Sequence, residues 1–116
     1  MARSPQQVLA DHGAAIESGD IDRIMADYAD DCIVLVPDGA SVGKEAIRGL
    51  FESLLESFAN MRLTTTTTVV EGDTLLTVWS AEFDAGAIPQ GVDTFIIRDD
   101  KIQRQTAWFT VVPKEA

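Results

Sequence analysis

Cysteine and histidine are almost absent from this sequence, which has one of each, Cys32 and His12, in 116 residues. A single cysteine cannot close an internal disulfide, which fits a reducing cytoplasm. One cysteine and one histidine also provide too few ligands for a typical structural zinc site. We therefore expect no metal site and a cytoplasmic location; no cofactor is expected either.

Basic residues are scarce as well: 9 Lys and Arg face 19 Asp and Glu, for a formal net charge of −10. A chain of this charge repels phosphate backbones and anionic lipid surfaces, so neither nucleic acid nor a membrane is an expected partner. Uncharged runs such as residues 74–81 are far shorter than the ~20 residues of a spanning helix. The first seven residues lack the apolar segment of a secretory signal.

The length and the 46% hydrophobic content suit one globular domain, residues 1–116, with a core of its own. Helices are expected in the first half. The first begins after Ser4-Pro5 and ends at Gly19, and the second begins after Asp20 and carries Tyr28 on its apolar face. The third begins after Gly43. Its expected buried stripe is Ile47, Leu50, Phe51, Leu54, Leu55 and Phe58.

Strands dominate the second half. After a short strand at 32–36, four longer strands are predicted at 61–71, 74–84, 90–98 and 101–112. Gly72-Asp73 is a typical hairpin turn, and Asp99-Asp100 is a weaker turn signal because it lacks glycine. This order predicts an α+β fold with helices on one face of a curved antiparallel sheet.

Five short motifs occur in a recognisable order: AIESGDI at 15–21, YADD at 28–31, GKEAIR at 43–48, GVDTFII at 91–97 and DKI at 100–102. With them the chain resembles the ketosteroid-isomerase-like superfamily, also called SnoaL-like or nuclear-transport-factor-2-like. The resemblance covers nearly the whole chain. It implies a conical barrel in which three N-terminal helices cover the concave face of a strongly curved, mainly antiparallel sheet. It also implies a deep apolar pocket and, usually, a dimer through the outer sheet face.

His12 is the first candidate for chemistry because it lies on the apolar face of the first helix. In ketosteroid isomerase the matching position holds the tyrosine that binds the substrate's carbonyl oxygen. An imidazole there could donate a hydrogen bond or shuttle a proton. The alternative is a core histidine that is satisfied by Tyr28 or by a backbone carbonyl. Tyr28 itself is either core or a hydroxyl donor.

Asp93 is the second candidate. Alternation places it on one strand face with Phe95 and Ile97, where loss of hydration should raise the pKa of its carboxyl. By resemblance it matches the protonated aspartic acid that donates to the oxyanion in ketosteroid isomerase. The alternative is an edge-strand aspartate that faces water. The family's general base is matched by Val36, which cannot transfer a proton. Asp38 follows in a predicted loop.

Glu82 is left open between two faces of the strand at 74–84. Apolarity turns Trp79, Ala81 and Phe83 inward, whereas the resemblance turns Ser80 and Glu82 inward, where Glu82 would approach Asp93 and titrate with it. The pocket residues assigned beside the catalytic set of His12, Asp93 and Tyr28 are Val36, Phe51, Leu54, Phe58, Glu82, Phe95, Gln105 and Phe109.

The last strand is expected to send Gln103, Gln105, Ala107 and Phe109 to the pocket, and Ile102, Arg104, Thr106 and Trp108 outward. An exposed indole on a sheet is usually covered by a partner, so a homodimer burying Trp108 is expected. Three functions remain open. The chain is a cofactor-independent isomerase, cyclase or lyase acting on a small apolar carbonyl compound, a non-catalytic binder of such a ligand, or a dimeric interaction module.

Overall fold

In the computed structural model, which describes residues 3–114, most of the strands follow the helices. Four residues of the expected domain lie outside the described residues: 1, 2, 115 and 116. Residues 1 and 2 also belong to the segment that was examined for a secretory signal. The described helices are α1 (Pro5–Ser18), α2 (Ile21–Met25) and α3 (Lys44–Ser57). The described strands are β1 (Tyr28–Val36), β2 (Gly39–Val42), β3 (Arg62–Glu71), β4 (Thr74–Phe83), β5 (Gly86–Arg98), β6 (Lys101–Phe109) and β7 (Val112–Pro113).

The helix ends follow local chemistry. The Ser4 hydroxyl accepts a hydrogen bond from the backbone N–H of Gln7 at 3.1 Å, and Pro5 occupies the first turn of α1. Gly19 ends that helix in the left-handed conformation, with φ of 72°. The Asp20 carboxylate then caps α2. These boundaries confirm the predicted ones.

Two predictions in the region after α2 were wrong. Tyr28 is the first residue of β1 and not part of α2, because β1 pairs in parallel with β6, where Tyr28 lies opposite Ile102. The backbone N–H of Ile102 donates to the Asp27 carbonyl at 2.7 Å and holds this junction. Residues 39–42, for which no strand was predicted, form β2 and pair with β1. The position of Tyr28 depends on the distant strand β6, which helical periodicity does not report, whereas β2 pairs with its neighbour in the sequence, β1.

The sheet runs in the order β2-β1-β6-β5-β4-β3, with β7 paired to β5. The β1–β6 pair is parallel and the other pairs are antiparallel. The turn at Asp99-Asp100 adopts φ of 55° and 68° without glycine. The Asp100 carboxylate accepts hydrogen bonds from the backbone N–H and Nε of Arg3, which ties this turn to the start of α1. The curved sheet with helices over its concave face is the predicted α+β conical barrel. No helix within residues 3–114 is long and apolar enough to cross a membrane.

A bulge in β6 changes which residues face inward. Ile96 pairs with Arg104 and Ile97 pairs with Ile102, so Gln103 is an extra residue on this strand. The extra residue lets both Ile102 and Gln105 point into the interior, and Ile102 is fully buried. The expectation that Ile102 faces outward with Trp108 was therefore wrong, whereas Trp108 is 48% exposed as expected.

A close approach between β4 and β5 sets the position of an indole that matters for the site. Trp79 lies opposite Gly91 in the ladder, and its ring lies directly over that glycine. A Cβ on Gly91 would overlap Cε2 and Cζ2 of the indole and lie 2.7 Å from Nε1. The indole also packs near the ring of Phe109, with ring centroids 5.8 Å apart.

We expect Gly91→Ala to lower the free energy of unfolding by roughly 1–3 kcal/mol, because the indole must shift and its hydrogen bond to Asp93 and its packing near Phe109 are then disturbed. Urea unfolding measures this change. Gly49→Ala is the matched control: its Cβ meets nothing within 4 Å in α3, so it should stabilise by up to about 1 kcal/mol. Equal unfolding midpoints for Gly91→Ala and the parent would contradict the packing argument.

Candidate functional site

A cavity of about 530 Å³ lies between the helices and the concave face of the sheet. Its size is typical of small-molecule sites, and its walls are mostly aliphatic and aromatic side chains. The polar residues on the lining are His12, Asp38, Thr65, Thr77, Asp93 and Gln105. A ligand in this cavity would therefore meet a largely apolar wall with a few fixed polar groups.

Most of the assigned pocket residues do line this cavity: Val36, Phe51, Leu54, Phe58, Phe95, Gln105 and Phe109. Glu82 does not, and its assignment was wrong. It is exposed on the other face of β4, where its carboxylate accepts a hydrogen bond from Arg62 at 3.3 Å. Alternation turns Trp79 and Ala81 inward instead, so apolarity predicted the face of β4 correctly and the resemblance did not.

Asp93 lies in the interior of the sheet on β5, only 8% exposed, and not at a water-facing edge. Trp79 Nε1 donates to its Oδ1 at 3.0 Å, and Gln105 Nε2 donates to its Oδ2 at 3.0 Å. Burial raises the pKa of the Asp93 carboxyl to about 6. The two hydrogen bonds and the nearby His12 lower this pKa, but the effect of burial is larger. The carboxyl can thus change its protonation state near neutral pH.

His12, on α1, is buried beside Tyr28, as the core alternative of the sequence analysis expects. It lines the cavity, and its ring also has partners inside the protein. Nδ1 lies 3.2 Å from Oδ2 of Asp27, and Nε2 lies 3.2 Å from the hydroxyl of Tyr28. The imidazole is therefore oriented by hydrogen bonds at both nitrogens.

Tyr28 lies behind the cavity wall and is fully buried. Its hydroxyl donates to Oε1 of Gln105 at 2.5 Å. Burial, with the nearby Asp93 carboxyl as a second cause, raises the pKa of the Tyr28 phenol well above its ordinary value. Tyr28 is thus a neutral phenol that connects His12 to Gln105, and it does not contact a ligand in the cavity directly.

These contacts form one continuous series, which we call the polar chain: Asp27, His12, Tyr28, Gln105 and Asp93. Arg3 donates to Oδ1 of Asp27 at 3.2 Å at the outer end, and Trp79 donates to Asp93 at the inner end. Among the described residues, every buried side-chain nitrogen and oxygen has a hydrogen-bond partner.

Sequence reasoning missed three members of this arrangement: Arg3, Asp27 and the role of Trp79. Asp27 follows a short helix and belongs to no periodic pattern, so no local signal marks it as buried. Asp38 was also placed in a loop without a function, yet it is an exposed residue on the cavity lining.

Metal binding has no support in the described part of the chain. Within residues 3–114, no three His, Cys, Asp or Glu side chains are grouped so that they could hold a metal ion. Cys32 is buried, and burial raises the pKa of its thiol, which disfavours the thiolate that binds metals.

Comparison with known proteins adds a family and a set of structures. A family model described as a SnoaL-like domain matches residues 9–105. No curated protein matches the chain.

Solved structures similar to this chain include an NTF-2-like protein of unknown function from Burkholderia xenovorans. It is 23% identical with a TM-score of 0.78, over 97% of this chain and 86% of that one. IdmH, a putative polyketide cyclase from Streptomyces antibioticus, is 18% identical with a TM-score of 0.79, over 92% of each chain. A putative ketosteroid isomerase from Kribbella flavida is 13% identical with a TM-score of 0.78, over 97% and 82%. At these identities the likeness shows the fold.

The raised pKa of Asp93 predicts a pH-dependent difference between the parent and Asp93→Asn. Because the folded-state pKa lies above the unfolded one, the native state holds the proton more tightly. That stabilisation is fully present below the unfolded pKa and is lost as the pH rises through the folded pKa. The quantity to compare is the free energy of unfolding of the parent minus that of Asp93→Asn. We expect this difference to fall by roughly 3 kcal/mol between about pH 4 and about pH 6.

Chemical denaturation across this pH range measures that difference. At neutral pH Asp93→Asn should be at least as stable as the parent, since position 93 no longer carries an ionised carboxylate in the interior. Asp31→Asn, at an exposed position of β1, is the control for the loss of a surface carboxyl. A flat difference for Asp93→Asn would mean that the carboxyl titrates as it does in water.

Proposed function

Because the chain belongs to the SnoaL-like domain family, we propose that its cavity binds an apolar carbonyl compound and promotes acid–base chemistry on it without a cofactor. The reaction classes are isomerisation, cyclisation or elimination. Asp93 polarises or protonates the carbonyl oxygen, and His12 and Tyr28 support it from behind through the polar chain.

The Asp93 carboxyl is the observation that carries this proposal. It reaches the cavity, and two donors, Trp79 and Gln105, hold its oxygens in place. With a pKa of about 6, about a tenth of the Asp93 carboxyls are neutral at pH 7, and in that form the side chain can donate to an oxygen. A donor of this kind is worth most where negative charge develops on a carbonyl oxygen in a dry site.

The walls favour a flat ring system over a charged or extended ligand. Phe51, Phe95, Phe109 and Trp79 contribute aromatic rings to the lining, and the volume suits a molecule of two to four fused rings. Steroid-like and polyketide-like carbonyl compounds meet both conditions. The similar solved structures described as a putative polyketide cyclase and a putative ketosteroid isomerase support the same two classes of ligand.

A reaction at the carbon next to the carbonyl also needs a group that removes a proton. Val36 cannot do so, and we propose that the carboxylate of Asp38 does, since it lines the same cavity two residues later. In this arrangement Asp38 takes the proton from carbon while Asp93 stabilises the enolate oxygen.

Hydrogen–deuterium exchange tests this proposal without knowledge of the natural substrate. 2-Tetralone is a two-ring ketone, and its exchange next to the carbonyl can be followed by NMR in D₂O. We expect the protein to accelerate exchange, and Asp93→Asn to reduce that acceleration by about 100-fold. Asp38→Asn should lower the exchange rate while 2-tetralone still binds. Asp31→Asn, whose side chain lies on the exposed surface, should match the parent.

The second candidate function is a non-catalytic binder, and it is favoured by Val36 at the position of the family's base. Binding of 2-tetralone without accelerated exchange would support it and would overturn the catalytic proposal. Absence of both binding and exchange would overturn both candidates for this ligand class.

We further propose that the protein is a homodimer through the outer face of the sheet. Trp108 and Leu76 are exposed there, and Trp108 continues a cross-strand row with Val92 and Val78. A second copy of the same face would cover this apolar row. The acidic charge of the chain and its buried Cys32 support a cytoplasmic protein that binds neither nucleic acid nor membranes.

Sedimentation at micromolar concentration tests the dimer. The parent should sediment as a dimer, and Trp108→Glu should sediment as a monomer with an unchanged circular dichroism spectrum, because a charge cannot be buried unpaired in the interface. Arg104→Glu is the control on the same strand, at an exposed position outside the apolar row. A monomeric parent would overturn the proposal.

A further inference from the structure

The polar chain behind the cavity has a constraint that follows from counting its hydrogens. Each of its four links, from Asp27 to His12, Tyr28, Gln105 and Asp93, needs one hydrogen between two heavy atoms. All five side chains are buried, and Asp27 and Tyr28 lie off the cavity lining, so a link that has two hydrogens or none is costly in the interior.

The two ends of the polar chain limit the choices. Asp27 already accepts from Arg3 and must also accept from Nδ1 of His12, so this nitrogen carries a hydrogen. Tyr28 has one hydrogen and can donate it to either neighbour. Gln105 can present its oxygen to one neighbour and its nitrogen to the other, and a half-turn of the amide exchanges them.

In the first complete arrangement Asp93 is ionised. Gln105 donates to Asp93 and accepts from Tyr28, as the 2.5 Å and 3.0 Å contacts describe. The Tyr28 oxygen must then accept a hydrogen from Nε2 of His12. His12 therefore carries hydrogens on both nitrogens and is positively charged.

In the second complete arrangement Asp93 is protonated and donates to Gln105, whose amide has turned. Gln105 donates to the Tyr28 oxygen, and Tyr28 donates to Nε2 of His12. His12 is then neutral, with its hydrogen on Nδ1. The two arrangements contain the same number of protons and differ in which end holds the mobile one.

Any other number of protons on the polar chain leaves one of its four hydrogen bonds unformed. With no mobile proton, two acceptors face each other at some point along the polar chain. With protons on both His12 and Asp93, the described side chains offer no acceptor for one of them. We infer that His12 and Asp93 together hold one shared proton, and that Gln105 and Tyr28 form the hydrogen-bond relay that couples the two sites, because the position of the proton sets the orientation of the amide and of the hydroxyl between them.

The surroundings of the polar chain fit this inference. The charged groups near His12 are Asp27 on the α2–β1 link, Arg3 before α1 and Asp93 on β5. From α3 and β5 the rings of Phe51 and Phe95 lie edge-on to the imidazole, with centroids 5.8 and 6.5 Å away, and Tyr28 and Gln105 bring neutral polar groups from β1 and β6. Arg3 also binds Asp11 and Asp100, so the outer end is anchored outside the relay.

This inference goes beyond the proposed function, because it concerns the free protein and needs no ligand. NMR of the ligand-free protein tests it. Since His12 is the only histidine, ¹⁵N-histidine labelling reports its charge and tautomer without ambiguity. ¹³C labelling of aspartate reports the Asp93 carboxyl, assigned by comparison with Asp93→Asn. We expect the proton fractions on His12 and Asp93 to add up to one from about pH 6 to about pH 8.

Asp93→Asn should fix the second arrangement, because its amide always donates to Gln105 and its oxygen still accepts from Trp79. The imidazolium signal of His12 should then be lost, leaving the neutral form with hydrogen on Nδ1. Asp31→Asn should leave both titrations unchanged. A sum near zero or two in the parent, or a doubly protonated His12 in Asp93→Asn at neutral pH, would overturn the inference.

The relay itself is tested by Gln105→Met, which keeps the approximate shape of the side chain and removes the amide. In this variant His12 and Asp93 should titrate independently, so that their proton fractions no longer add up to one. If Gln105→Met does not fold, Tyr28→Phe breaks the adjacent link and should give the same result. A constant sum in a folded variant would exclude Gln105 and Tyr28 as the relay.

Discussion

The buried carboxyl of Asp93 and its two donors form the interaction on which the polar interior depends. An ionised carboxylate in an apolar cavity loses hydration that aromatic walls cannot replace. The hydrogen bonds from Trp79 and Gln105 replace part of this lost hydration. Each donor stabilises the carboxylate only if its own side chain is held in position. Gly91 fixes the indole by leaving room for it, and Tyr28 fixes the amide by donating to its oxygen. One buried charge thus constrains residues on β1, β4, β5 and β6.

The topology explains why these residues meet. Parallel pairing of β1 with β6 brings Tyr28 to the strand that carries Gln105, and antiparallel pairing of β5 with β6 places Gln105 opposite Phe95, close to Asp93. The helix α1 then covers this junction with His12. Acidic and basic groups are therefore placed at the seam between the helices and the sheet, where a side chain can contact the cavity and still find partners inside the protein.

Local signals predicted the parts of the molecule that depend on local chemistry. The caps at Ser4 and Asp20, the Gly72-Asp73 turn and the inward alternation of Asp93 and Phe95 all depend on nearby residues, and the structure has them as predicted. The failures share a different origin. The strand position of Tyr28 depends on β6, the burial of Ile102 depends on a bulge at Gln103, and the partners of His12 include Asp27, which no periodic pattern marks. Long-range pairing decided each of these.

The hydrogen count of the polar chain also connects ligand binding to charge. An enolate or phenolate oxygen beside Asp93 is an acceptor that the ligand-free chain does not have. Asp93 can then direct its proton at the ligand and still accept from Gln105, which accepts from Tyr28 while His12 keeps both hydrogens. The polar chain is complete with two protons instead of one, so an anionic oxygen draws one proton into the interior as it binds. A chain with a formal net charge of −10 can stabilise a negative intermediate in this way because the added charge is neutralised beside it.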